Sequence, residues 1–161
     1  MGKELQPIAQ KILKGYDYKN LYFVSPTGDV IFSARPGQLF GTNVFSGVAK
    51  DSELPRFIKK ALETKEAGVS SFDLYPGLIN VSMYLAAPVV QGEKVLGALV
   101  LRMSPDNIYQ IINEYTGLGE TGEIALASLI GDEAVFVAPT RFDPNAAFKI
   151  SIKIGTSLDL P

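Results

Sequence analysis

Two apolar runs, Val81 to Val90 and Val95 to Met103, stand on either side of Gln91-Gly92-Glu93. Neither reaches the ~20 consecutive apolar residues that a bilayer demands, and Pro88 cuts the densest zone, Val81 to Leu101, once more. Short runs rich in valine and leucine, bounded by a glycine turn, read as paired antiparallel strands. Alternation along the first puts Val81, Met83, Leu85 and Val89 on one face and Ser82, Tyr84 and Ala86 on the other. Val69 to Leu74 is a third strand candidate, turned by Tyr75-Pro76-Gly77. The same parity gathers Ser71, Asp73 and Tyr75.

Upstream, Leu5, Ile8, Ala9, Ile12 and Leu13 recur at helical spacing. Pro7 suits only the first turn of that helix, and Gly15 ends it. Leu21 to Ser25 and Val30 to Arg35 flank Pro26-Thr27-Gly28-Asp29, a four-residue hairpin turn. Pro36 to Lys50, with Gly37, Gly41 and Gly47, has no period and reads as a loop. Leu54, Phe57, Ile58, Ala61 and Leu62 give a second helix, capped by Ser52 and stopped at Gly68. A third starts with Ser104 as cap and Pro105 at its first position, with Ile108, Ile111, Ile112 and Tyr115 as its stripe.

Helix, two strands, loop and helix, three strands, helix: this order specifies an α+β domain around a five-stranded antiparallel sheet. Beyond it the chain echoes itself. Leu21 to Ser25, Gly28-Asp29 and Val30-Ile31-Phe32 are answered by Ile124 to Ser128, Gly131-Asp132 and Ala134-Val135-Phe136. Phe148, Ile150, Ile152 and Ile154 alternate as a further strand. The expected organisation is a first module over 1–116 and the start of a truncated second copy over 117–161.

Composition narrows the chemistry. The chain has 161 residues, is 47% hydrophobic, carries a net charge of −2 and contains no cysteine and no histidine. Disulfides, thiol nucleophiles, histidine general bases and the usual zinc or haem ligands are thereby removed. No catalytic residue, metal or cofactor is expected, and no nucleic-acid partner. Met1-Gly2-Lys3-Glu4 opens no apolar signal segment.

Gly117-Leu118-Gly119-Glu120-Thr121-Gly122 matches a dinucleotide fingerprint in letters. It follows a helix and precedes a strand, the reverse of what that fingerprint requires, and Glu120 and Glu123 would repel phosphate. It reads as a turn. The acid pairs Glu120/Glu123 and Asp132/Glu133 read as solvated charge, Asp143-Pro144-Asn145 is too short for a calcium loop, and the sequon at Asn80 is uninformative. The face carrying Ser71, Asp73, Tyr75, Ser82 and Tyr84 has two readings: the wall of a small-molecule pocket, or a solvated sheet face.

Several strings then resemble one family. The hairpin Leu21 to Arg35, Leu85-Ala86-Ala87-Pro88-Val89-Val90, Val95 to Arg102, and Gly117 to Ile124 are similar to the extracytoplasmic, PAS-like Cache sensor domains of bacterial and archaeal receptors, double-Cache type. The resemblance implies a membrane-distal ligand-sensing module, followed by the opening of a membrane-proximal one. It also implies membrane tethering and an output such as a histidine kinase or chemoreceptor signalling domain, absent here. Members that bind amino acids carry an Arg, aromatic, aromatic, Ala pattern on the middle helix. With Ala61 on the alanine, Phe57 meets the first aromatic, Ile58 the second and Pro55 the arginine. Arg56 stands one residue away, about 100° round the helix.

On this reading a metabolite lies between the sheet and the segment Pro36 to Lys50 with its following helix. Arg56 meets a carboxylate, Phe57, Tyr75 and Tyr84 form walls, and Ser71, Asp73 and Ser82 orient polar groups. Arg56 also fits an ordinary exposed helix position. The alternative is a ligand-free module whose Leu5–Leu13 stripe mediates dimerisation, as a homodimer, or the binding of another protein. An enzyme is disfavoured by the missing residue types.

Overall fold

A computed structural model describes residues 2–72 and 81–155. Its contacts divide the chain into two units, Met1–Ser104 and Pro105–Pro161. In the first, β1 (Asn20–Val24), β2 (Val30–Ser33), β3 (Gly68–Val69), β4 (Met83–Gln91) and β5 (Lys94–Met103) form one antiparallel sheet in the order β2-β1-β5-β4-β3. The five-stranded α+β sheet expected from the alternation is present. β3 pairs only at Gly68 and Val69, opposite Ala86 and Leu85. Pro88 accordingly sits where, among the described residues, β4 has no partner on that side, so its missing N–H costs that ladder nothing.

Strand alternation sorts the core into two layers. Tyr22, Val24, Tyr84, Ala86, Ala98 and Val100 face α2 (Glu53–Thr64) and the loop residues Leu39, Val44 and Ala49. Leu21, Phe32 and Leu101 face α1 (Gly2–Tyr16), which contributes Ala9 and Leu13. The glycine-bearing loop thus buries three of its apolar side chains as part of the core.

Each of the three helices has a boundary that differs from the sequence reading. α1 begins at Gly2, so Pro7 lies inside it and not in its first turn. The side-chain amides of Gln6 and Gln10 both donate to the Ala34 carbonyl, at 2.6 and 2.7 Å, and pin the helix across the sheet. α1 runs past Gly15 to Tyr16. Asp17 then takes the left-handed conformation and the Tyr18 N–H returns to the Leu13 carbonyl at 3.1 Å, a Schellman closure without glycine.

α2 has its predicted Ser52 cap, whose hydroxyl accepts from the Leu54 N–H. It stops at Thr64, well before Gly68. The Thr64 hydroxyl donates to the Lys60 carbonyl and accepts from the Glu66 N–H, while Lys65 turns left-handed.

In the second unit α3 (Asp106–Ile112) begins after Pro105, not at it. The Pro105 carbonyl takes the first helical bond from the Tyr109 N–H, which makes Pro105 itself the cap. The helix ends before Tyr115. A three-stranded antiparallel sheet, β6-β7-β8, follows from β6 (Ala127–Ile130), β7 (Glu133–Phe136) and β8 (Ser151–Lys153). Val137, Ala138 and Ala146, which lie outside its strands, are buried, and the Tyr109 hydroxyl donates to the Val137 carbonyl at 2.6 Å.

The Gly117–Gly122 turn shows why its letters mislead. Arg141 Nη1 donates to the carbonyls of Gly119 and Gly122, both at 2.8 Å, and its guanidinium lies over the Tyr115 ring. A phosphate loop presents N–H groups; here two carbonyls converge on a cation. No helix among the described residues is long and apolar enough to cross a membrane.

Candidate functional site

α2 buries Leu54, Ile58 and Ala61 against the sheet and packs Phe57, partly buried, at the edge of that core, while Glu53, Arg56, Lys60 and Thr64 lie beside Phe57 on a more open face. Phe57 and those four line one wall of a cavity of about 280 Å³. The chain leaving α2, from Glu66 through β3 to Ser71, lines the other. Gly68 lets this wall close on the helix: a Cβ there would stand 3.3 Å from Phe57 Cε2. Lys65 ties the end of α2 to the β4–β5 turn through the Glu93 carboxylate at 3.1 Å and its carbonyl at 3.3 Å.

Opposite charges face this space. Arg56 is paired with Glu53, its Nε 3.0 Å from Oε2 and its Nη2 closing the same contact, and its side chain is 81% exposed. Lys60 and Glu66, on opposite walls, have no ion-pair partner among the described residues. The floor is Ser70: its N–H donates to the Tyr84 carbonyl, and its hydroxyl accepts from the Tyr84 N–H at 2.8 Å and donates to the Ser71 carbonyl at 2.9 Å.

Of the residues expected at a site, Arg56, Phe57 and Ser71 line this cavity. Ser82 and Tyr84 are fully buried in the sheet face behind it, so that face is not solvated. Asp73 and Tyr75 lie outside the described residues. The cavity takes no lining residue from Pro36 to Lys50. Ser71 is exposed between buried Ser70 and Phe72: the alternation continues to Phe72 and Ser70 still bonds to Tyr84, so it is the parity of Ser70, not that of Ser71, that faces inward. Sequence reading missed Lys60, Glu66 and Ser70. Lys60 was accessible, being four residues from Arg56 and so on the same helix face.

A second cavity, about 340 Å³, runs between α1 and the opposite sheet face. Its lining is apolar throughout and includes Leu5, Ile8, Ile12, Phe23 and Leu99. Ile8 is 60% exposed at its edge.

No family model and no curated protein matches the sequence. Solved structures do resemble the fold. The sensor domain of the Vibrio cholerae histidine kinase DctB superposes with a TM-score of 0.53 at 18% identity, over 67% of this chain and 39% of that one. The ligand-binding domain of the Pseudomonas aeruginosa amino-acid chemoreceptor PctB, in complex with L-Arg, gives 0.63 at 17% identity, over 92% and 58%. That of the Campylobacter jejuni chemoreceptor Tlp3, in complex with 4-methylisoleucine, gives 0.55 at 14%, over 70% and 43%. This chain thus spans between 39% and 58% of the length of these three structures.

Proposed function

We propose that this chain, which has the PAS-like Cache sensor fold, is the extracytoplasmic ligand-sensing part of a membrane-tethered signalling receptor. The observation that carries the reading is the cavity beside α2, where Lys60 and Glu66 offer opposite charges, without an ion-pair partner among the described residues, on facing walls. A small metabolite bearing a carboxylate, and an amino acid above all, satisfies both walls at once. Arg56 adds charge once Glu53 yields it, Phe57 supplies apolar wall, and Ser71 lies at the cavity with a hydroxyl. Asp73 and Tyr75 remain proposed contacts, while Ser82 and Tyr84 back the site. Amino-acid ligands in PctB and Tlp3, which share the fold, support this class.

Signalling then requires only that ligand bind one arrangement of α2 and the sheet better than another. No bond is made or broken, so the module is not an enzyme in this reading. The output domain lies elsewhere in the receptor, and residues 117–161 open a second module.

A thermal-shift screen of the chain against amino acids, dicarboxylates, amines and sugars tests it. A saturable hit at 100 times its Kd adds ~2.7 kcal/mol. The hit is expected to vanish in Lys60→Ala and weaken in Arg56→Ala. A hit unchanged in both, or none from any class, overturns the site.

A second reading has its own observation. Leu5 and Ile8 are exposed along the apolar cavity under α1, which suits pairing of two copies through that helix. Sedimentation would then show a dimer that Ile8→Glu dissociates; a monomer at high concentration rejects it.

A further inference from the structure

α1 is moored at the edge of the sheet. Gln6 and Gln10 both donate to the carbonyl of Ala34, just past β2, and Ala9 and Leu13 are buried. Leu5 and Ile8 are exposed and Ile12 is only half-buried, and the gap between this stripe and the strands is the cavity of about 340 Å³. Small residues leave it room. Ala9 contributes one methyl to its wall. Gly97, opposite Val89 in register, has no side chain, and the Phe23 ring lies across it, with Cε1 2.8 Å from where a Cβ would stand.

Every residue lining this space is apolar. A water held there needs two to four polar partners, and none of these side chains offers one. Hydrocarbon gains instead, by about fourfold in affinity for each CH2 buried. Shape and charge then choose among apolar occupants. One turn of α-helix, ~10 Å across and ~5.4 Å long, already exceeds the cavity, so a second copy's α1 would cover the mouth without filling the space. A single aliphatic chain fits. Lys11 lies one turn from Ile8 on the exposed side of α1, with no ion-pair partner among the described residues. Glu4, also exposed, is two turns from Lys11, at the Leu5 end.

We propose that the cavity under α1 is a binding site for a free medium-chain fatty acid, its tail against Phe23 and Leu99 and its carboxylate at Lys11. The site lies on the sheet face opposite α2 and is separate from the cavity beside that helix. Tail burial supplies the affinity, and Lys11 supplies the preference for an acid over an alcohol.

The test is an NMR titration of the methyl-labelled chain with sodium butyrate, hexanoate, octanoate and decanoate, below micelle-forming concentrations. Methyl resonances of Ile12, Ile31, Val89 and Leu99 are expected to shift saturably, with affinity rising about fourfold per added carbon until the cavity is full. Lys11→Gln is expected to weaken decanoate about twofold to fivefold and to leave decanol binding as it was. Ala9→Leu, which fills the space, is expected to abolish the shifts. Where that variant does not fold, nuclear Overhauser contacts from the decanoate tail to Ile12 and Leu99 in the parent chain decide, and their absence overturns the site. An affinity flat with chain length, shifts that never saturate, or an equal loss of decanol in Lys11→Gln also overturns it. Shifts that follow protein concentration and ignore decanoate give the face to a second copy and reject the fatty acid.

Discussion

β1 and β2 are joined by five residues, Ser25 to Asp29, with Val24 opposite Val30. β6 and β7 are joined by two, Gly131 and Asp132, with Ile130 opposite Glu133. Both hairpins carry Gly-Asp before a strand that contains a phenylalanine, Phe32 or Phe136, and the shared letters suggested a shared turn. The difference comes from what each turn touches. Asp29 accepts from Thr27 at 2.7 Å, Asn43 at 2.9 Å and Ser25 at 3.2 Å, and the Gly28 carbonyl takes the Val44 N–H at 2.8 Å. The first turn is therefore shaped by the loop that lies on it. Asp132 meets Lys153 at 3.5 Å, an exposed pair, and its carbonyl takes the Ile154 N–H at 2.9 Å, so this turn is touched by the end of the neighbouring strand and by no covering loop among the described residues. Burial follows: β1 is almost wholly buried, whereas no residue of β6, β7 or β8 is.

That contrast predicts unequal costs. Ile58→Ala, in the core against β1's inner face, is expected to destabilise by about 2–5 kcal/mol. Val135→Ala, half-buried on β7, is expected to cost about 1 kcal/mol or less. Urea unfolding followed by hydrogen exchange at each sheet reads both, and equal losses would erase the distinction.

The turns themselves come next. Gly28 has φ +94°, and an added Cβ would enter the Phe45 ring. Gly28→Ala should cost about 2–4 kcal/mol, combining left-handed strain with overpacking. Gly131 has φ +65° and nothing within 4 Å, so Gly131→Ala should cost only about 1 kcal/mol. Similar losses at the two would mean the first turn is not held by its loop.

The smallest effect is acid sensitivity. Hydrogen bonds from Asn43, then Thr27 and Ser25, hold the Asp29 carboxyl below its ordinary 3.8. A depressed folded-state pKa contributes stability above the unfolded value, lost as pH falls from 3.8 through the folded one. Asp29→Asn should flatten that part of the acid-unfolding curve. A curve unchanged by the substitution would show that the network adds no charge-dependent stability.

Legibility in sequence tracked how local the cause was. Alternation from Met83 to Met103 is a property of consecutive residues, and it located both central strands and the buried parity of Ser82, Tyr84 and Ala86. Helix ends depended on distant partners. Pro7 is tolerated inside α1 in a helix that Gln6 and Gln10 tie to Ala34, and Lys65 ends α2 where Glu93 receives its charge. The cavity was half visible: Arg56 and Phe57 could be named, while Glu66 and Ser70 join them only because the chain reverses after Thr64. The cavity under α1 was hidden differently, since only the packing of helix on sheet brings Leu5 and Ile8 to Phe23, Val89 and Leu99.

The strand order has a kinetic consequence. The β1–β2 and β4–β5 hairpins each close over a few residues and can form in microseconds. The β1–β5 seam between them joins Asn20 to Arg102, and it must enclose the loop, α2 and β3 before its ladder returns any free energy. Folding of the first unit is consequently governed by one late, long-range encounter between two preformed ribbons. A slower search, not a weaker fold, is the expected outcome of lengthening the segment between them.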